Sequence, residues 1–188
     1  MPNCPALTEL EEEYERARDR LGPKHRADLL GLGVPRRIIV AFGLIGVARI
    51  WPRGDRFEFA PDSDRGAEAR YVLAVRGRDD GVPFDEATRA AAWPLVGDLL
   101  DLIAFRARDP MTWNCFCGVT SLLGVVPTGG VHRMPLHASP LEWLRGGGRG
   151  VCVIERDPVM RQVVMLSLRE RVAAPAATPR PPMLEVAE

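Results

Sequence analysis

The clearest pattern along the chain is a helical stripe near its start. Leu7, Leu10, Tyr14, Ala17 and Leu21 recur at spacings of three and four, which places them on one face of a helix over 7–21. Thr8 and Glu11 have capping-box spacing, and Gly22-Pro23 supplies the stop. Glutamates fill the first turns and arginines the last, which complements the helix dipole. Such a short stripe suits docking on a domain better than a coiled coil.

Shorter helices are expected over 24–30, ended by Gly31 and Gly33, and from Pro35 to about Phe42. The pattern then changes. Residues 44–51 and 55–60 read as strands around an Arg53-Gly54-Asp55 turn, and Arg56, Glu58 and Ala60 alternate with Phe57 and Phe59. A polar loop over 61–69 precedes a strand from Tyr71 to Val75, and an Ala-rich helix is expected from Phe84 to Ala92. Leu99 to Phe105 is apolar with Asp101 inside it, and Asp109-Pro110 closes it. A strand from Thr112 to Cys117 follows, then a short helix or turn up to Leu123.

Punctuation is clean in the last third. Val131 to Ala138 reads as an edge strand, because Pro135 forfeits a donor. Ser139-Pro140-Leu141-Glu142 opens a helix that ends in Gly146-Gly147-Gly148. Val151 to Glu155 is a buried-looking strand, and Asp157-Pro158 caps a last helix to about Val172. The expected fold is therefore α+β: N-terminal helices, a mixed and largely antiparallel sheet, and a C-terminal strand–helix–strand–helix unit. Residues 1–173 make one expected globular domain. The Pro-rich tail 174–188 cannot bury enough apolar surface to order, so disorder is expected there.

Composition bounds the function classes. With 188 residues, 46% apolar and 27% charged, the chain is ordinary for one globular domain. Twenty-five basic residues balance twenty-five acidic ones, whereas a protein living on phosphate backbone usually carries a basic excess. Nucleic acid is thus not supported as a partner, and protein is the expected one. The longest apolar run, Ile38 to Ile50, holds Gly43, Gly46 and Arg49 and is too short to span a bilayer. No secretory signal is visible, so the expected location is cytoplasmic and the cysteines are expected to be reduced.

Two constellations could carry chemistry. Cys115 and Cys117, with His132 and His137 further on, have the overall spacing of a small zinc-binding module. One residue between the cysteines is fewer than a zinc knuckle uses, and alternation would put Trp113, Cys115 and Cys117 together on a core face. The second constellation is Glu155 and Asp157 at the carboxyl end of the strand VCVIE, where two carboxylates can share magnesium beside a phosphate. Asp157 before Pro158 is equally a helix N-cap. Gly146-Gly147-Gly148-Arg149-Gly150 follows a helix, so the negative helix end faces it, and it is no phosphate cradle.

The segment VCVIERD resembles the acidic strand end of Toprim domains and nucleases. The Toprim pattern has Asp where Glu155 stands, and it needs an earlier strand-end glutamate followed by glycine, which the earlier strand ends at Trp51, Ala60 and Arg76 do not supply. Over a longer range, LLGLGVPRRIIVAFGLIGVARI, DLIAF and SPLEWLRGGGRGVCVIERD resemble uncharacterised proteins of alphaproteobacterial phages and other mobile elements, across residues 26–160 with 77–95 as an insertion. That resemblance implies a neighbourhood of DNA transactions and no particular chemistry. The expected function is a non-enzymatic accessory or interaction protein of a mobile element, with no cofactor. The alternatives are a divalent-metal-dependent nucleic-acid-processing enzyme or degenerate Toprim-like domain using Glu155 and Asp157 with Mg, and a small module binding Zn.

Overall fold

The structure, a computed structural model, describes residues 7–40, 43–77, 98–124, 134–169 and 172–173. The expected helix over 84–92, the insertion 77–95 beyond Gly77, His132 and the tail 174–188 lie outside the described residues.

Three helices lead: α1 (Leu7–Asp19), α2 (Pro23–Gly31) and α3 (Arg36–Val40). Five strands follow: β1 (Ile45–Arg53), β2 (Arg56–Phe59), β3 (Glu68–Gly77), β4 (Asp98–Arg106) and β5 (Asp109–Cys115). They close into a barrel in the order β1-β2-β5-β4-β3. Every pairing in it is antiparallel except the one that closes it, where Arg56 of β2 meets Cys115 of β5 in parallel. The closure is braced on both sides. Asn114 Nδ2 donates to the Gly54 carbonyl at 2.7 Å, the Cys115 amide donates to the Asp55 carbonyl at 2.9 Å, and the Arg56 guanidinium donates to the Cys117 carbonyl.

Strand register sorts the side chains into rows. Ile45, Leu73, Ile103 and Cys115 lie across one another, as do Val47, Tyr71, Phe105 and Trp113. These rows form one continuous core with Leu29, Ile38, Leu144 and Ile154 from the surrounding elements. On the opposite face run Gly46, Val72 and Ala104, flanked by Ala48 and Ala74. Small side chains there leave room for α1, whose Leu10, Tyr14 and Ala17 fill it. The fit is close. A Cβ on Gly46 would come within 2.6 Å of the Ala17 backbone, so only glycine permits this approach. The Tyr14 hydroxyl donates to the Gly43 carbonyl, and burial raises its pKa strongly.

The second sheet has the order β6-β8-β7-β9, from β6 (Leu122–Leu123), β7 (Met134–His137), β8 (Val151–Val153) and β9 (Val172–Ala173). Helix α4 (Pro140–Arg145) crosses between the parallel strands β7 and β8, and α5 (Pro158–Leu168) follows β8. The chain is thus α+β with a mostly antiparallel main sheet and a C-terminal strand–helix–strand–helix unit. At the start of α4, Ser139 accepts from the Glu142 amide at 3.3 Å, while Glu142 Oε2 accepts from the Ala138 amide at 3.0 Å. The glycine amides after it turn back on the helix: Gly146 to Glu142, Gly147 to Leu144, Gly148 to Trp143. None is left to cradle an anion there.

Several boundaries differ from the sequence reading. β3 begins at Glu68 rather than Tyr71, because Glu68, Ala69 and Arg70 pair with Ile50, Arg49 and Ala48 of β1, and the buried Arg70 guanidinium is held by Glu68. Asp109-Pro110 opens β5 instead of closing β4, since the hairpin turns at Ala107-Arg108 and a proline at a strand start forfeits little. β7 is flanked on both sides, not an edge, because the two-residue β9 pairs with it at Met134 and Pro135.

Candidate functional site

Glu155 and Asp157 stand where β8 hands the chain to α5. Glu155 Oε2 accepts from the Ser121 hydroxyl at 2.8 Å, and its Oε1 accepts from the amides of Arg156 and Asp157 at 2.9 and 3.0 Å. Burial alone would raise this carboxyl. The Ser121 hydroxyl and the two amides outweigh it and hold Glu155 below the usual carboxylate range. Asp157 Oδ1 accepts from the amides of Val159 and Met160 at 3.0 and 2.8 Å, which is N-cap geometry. Around them, Arg161 Nη1 donates to the Val153 and Glu155 carbonyls at 3.1 and 3.3 Å. The Arg156 guanidinium lies 5.2 Å over the Trp113 ring, and Trp113 Nε1 donates to the Ile154 carbonyl at 3.2 Å. The two carboxylates are neighbours, but their lone pairs serve a turn and a helix end. Among the described residues, no three His, Cys, Asp or Glu side chains gather as a cation would need.

The thiol and imidazole groups go separate ways. Cys115 lies in the core opposite Ile103, and burial, reinforced by the Asp101 carboxylate, pushes its thiol up to about 12. The expectation of reduced cysteines holds at Cys115 and Cys152, which are free, and is corrected at Cys117, which is disulfide-bonded. A sulfur so engaged is not a thiolate ligand. His137 sits beside Cys152 in the β7–β8 ladder, and its Nε2 lies 2.8 Å from the Arg149 carbonyl, the arrangement of a donor. A Cβ on Gly146 would come within 2.6 Å of this ring, so the glycine makes its space. His132 lies outside the described residues, so the four candidate ligands are not all placed.

Residues that the sequence reading left without a role organise the barrel ends. Asp101 is fully buried, and its carboxylate accepts from the amides of Leu102 and Cys117 at 2.8 Å and of Val119 at 3.1 Å. Burial raises its pKa against the pull of those amides. The charge that looked misplaced inside an apolar run thus ties the segment after β5 to β4. Glu68 gathers Arg70 and Arg106, both at 2.5 Å, and these bonds lower its pKa. The described tryptophans are used in packing with satisfied donors: beside Trp113, Trp51 Nε1 donates to Asp64 at 3.0 Å and Trp143 Nε1 to the Gly150 carbonyl at 3.1 Å.

Two open surfaces stand out among the described residues. One is a groove of about 250 Å³ between α2 and the barrel, lined by His25, Val47, Tyr71 and Phe105. The Tyr71 and Phe105 rings stack at 5.9 Å with His25 edge-on to Tyr71 at 6.2 Å. Arg70 and Arg106 border it in the chain, but alternation turns their side chains to the far face, where both reach Glu68. Arg108 lines it as well, and the buried His25 Nδ1 has no hydrogen-bond partner among the described residues, so polar groups stand beside its aromatic wall.

The other is α5. Leu168 is buried and Val164 is partly buried against Met134, Val151 and Val153, yet Val159, Met160, Val163, Met165 and Leu166 all face outward. A run of large apolar residues on one exposed helix marks a contact surface more often than a scattered one would. The signal was present in the sequence as the nearly uncharged run PVMRQVVMLSL, but periodicity could not say which side would be covered.

Together these features define a small α+β protein, a closed five-stranded barrel carrying a second sheet and a bare apolar helix. No protein-family model matches the chain, and neither a curated protein nor a solved structure matches it. No helix among the described residues is long and apolar enough to cross a membrane.

Proposed function

We propose that this chain is a non-enzymatic accessory protein that acts by binding another protein, in the setting of a mobile genetic element. The observation that carries the reading is the outward face of α5, five large apolar side chains presented on one short helix. Folding alone gives no reason to expose them, since each fully buried side chain of this size would contribute about 1.5–3 kcal/mol. The groups with chemical potential point the same way. Glu155 is held by the Ser121 hydroxyl and two backbone amides, Asp157 Oδ1 caps a helix, and Cys115 and Cys152 are buried thiols pushed up to about 12, far from nucleophilic range at neutral pH.

The test is a photoreactive residue placed at Val163 in cells that produce the protein, with the same residue at exposed Ser63 as the control. Adducts with protein at 163, absent at 63 and lost when Leu166→Asp is added, are the expected result. A chain that yields no such adduct, while showing turnover of a nucleic-acid substrate with magnesium, would sink the reading.

A further inference from the structure

We infer that the basic surface where the α2–α3 turn meets the glycine loop after α4 binds the phosphate backbone of a nucleic-acid duplex, a second partner beside the protein proposed for α5. The first observation is a segregation of charge that the net balance hides. Residues 22–40 hold Lys24, Arg26, Arg36 and Arg37 against Asp28, and residues 138–150 hold Arg145 and Arg149 against Glu142. Helix α1 shows the reverse, with Glu9, Glu11, Glu12, Glu13, Glu15 and Asp19 against Arg16 and Arg18. A neutral chain thus carries a positive face.

The second observation is that the fold brings the two basic segments together. Arg145 Nε donates to the Leu32 carbonyl at 2.6 Å, across 113 residues of chain. Arg37 lies against the loop: a Cβ on Gly147 would come within 2.8 Å of its Nη2, and Gly147 has a φ of +75°. Glycine at 147 is what lets Arg37 reach this loop. Arg36 precedes it, Arg149 follows the three glycines, and all four arginines are exposed. The amides of Gly146, Gly147 and Gly148 are spent on α4, so the loop offers an anion its neighbouring guanidinium groups and not a backbone cradle.

The third observation is the lack of countercharge. Arg16, Arg20, Arg53, Arg70, Arg76 and Arg106 each pair with a carboxylate, whereas Arg36, Arg37, Arg145 and Arg149 meet none among the described residues. The two local carboxylates are engaged elsewhere. Glu142 accepts from the Ala138 amide, and Asp28 lies toward Tyr71, whose pKa burial and then this carboxylate raise. An arginine held at Nε, as Arg145 is, keeps both Nη groups for a bidentate phosphate contact.

A duplex backbone fits this surface better than other polyanions. Exposed arginines on two segments suit a row of phosphates, not one enclosed phosphate. A single strand needs exposed rings to stack its bases, and Trp143, the aromatic residue of α4, is buried. Anionic lipid calls for an apolar stripe beside the charges. The outward positions of α2 include Lys24, Arg26, Ala27 and Asp28, and Leu30 and Val40 are single exposed apolar residues on α2 and α3.

The test is fluorescence anisotropy of the full chain against a labelled DNA duplex of about 20 base pairs, from about 50 to about 200 mM salt. A Kd of about 1 to 100 µM is expected at the lower salt, with a log–log salt slope of about −3 to −4 for four phosphates. Arg36→Glu and Arg149→Glu should each weaken binding at least about fivefold with an unchanged thermal midpoint, and together make the slope shallower by about 2. Arg65→Glu, an exposed site before β3, should change affinity by less than about twofold. No duplex binding at about 200 µM protein overturns the inference. Equal losses in Arg65→Glu overturn it as well, since binding would then follow net charge and not this surface. Tighter binding of the single strand, of phosphatidylserine vesicles or of polyglutamate than of the duplex, at equal anionic charge, overturns it in favour of that partner.

Discussion

Helices α1 and α5 begin from the same kind of sequence signal and end in opposite environments. Each carries apolar residues at helical spacing. The stripe of α1, Leu10, Tyr14 and Ala17, is buried against the small residues of the barrel. The stripe of α5 faces away from the protein, and the helix is anchored on its other side by Leu168 and Val164. The difference lies in what each helix meets. β1, β3 and β4 present Gly46, Ala48, Ala74 and Ala104 to α1, a surface shaped to receive side chains. Nothing comparable among the described residues is offered to the outward side of α5. Apolar periodicity thus states that a helix has a face to cover, and the rest of the chain decides whether it covers it.

The comparison can be broken most directly by matched truncations. Leu10→Ala leaves a cavity under α1 and should cost about 2–5 kcal/mol, while Leu166→Ala should change stability by no more than about 0.5 kcal/mol. Urea denaturation of both variants at low protein concentration checks this, and equal costs would show that the two stripes are not in different environments. Next in size is Gly46→Ala. The new methyl would meet the Ala17 backbone, so a loss of about 1–3 kcal/mol is expected, seen as a lower urea midpoint. No loss would mean that α1 docks less closely than the fold requires.

Asp157→Ala tests whether α5 depends on its cap. The lost bonds to the Val159 and Met160 amides should cost about 1 kcal/mol, with Asp157→Asn recovering most of it. If magnesium at millimolar concentration stabilises the native protein but not Asp157→Asn, the cap is not the whole role of this carboxylate. The smallest effect concerns pH. The folded pKa of Glu155 lies below its ordinary 4.5, so its contribution is present above that value and is lost as pH falls through the folded pKa. Glu155→Gln should therefore reduce stability near neutrality slightly and flatten the acid limb, followed by thermal midpoints between about pH 3 and pH 6. An acid limb unchanged by the substitution would show that Ser121 and the two amides do not favour the charged form.

Much of the fold was legible because local signals are strong where they act alone. The helix over 7–21 was visible from spacing and charge, the α4 boundaries from Ser139, Glu142 and three glycines, and the α5 start from Asp157-Pro158. The reading failed where a distant residue changed the meaning of a local one. Pairing with β1 at Ala48 to Ile50 makes Glu68 to Arg70 strand residues, β9 removes β7 from the edge, and β4 takes up the segment from Asp109 as its partner strand. The site was legible in part. Asp157 as a cap follows from two adjacent residues, whereas the Ser121 hydroxyl on Glu155 comes from thirty-four residues away.

The sequence by itself determined the periods, the caps and the α+β class, because these depend on interactions within a few residues along the backbone. Tertiary structure decided the closure of the barrel at Arg56 and Cys115, the withdrawal of Cys115 and Cys117 from thiol chemistry, the burial of Asp101 beneath the amides it binds, and the exposure of α5. Each of these depends on which surfaces the whole chain brings together. A side chain's neighbours across the fold, and not its neighbours in sequence, fix whether it is covered, charged or free to meet another molecule.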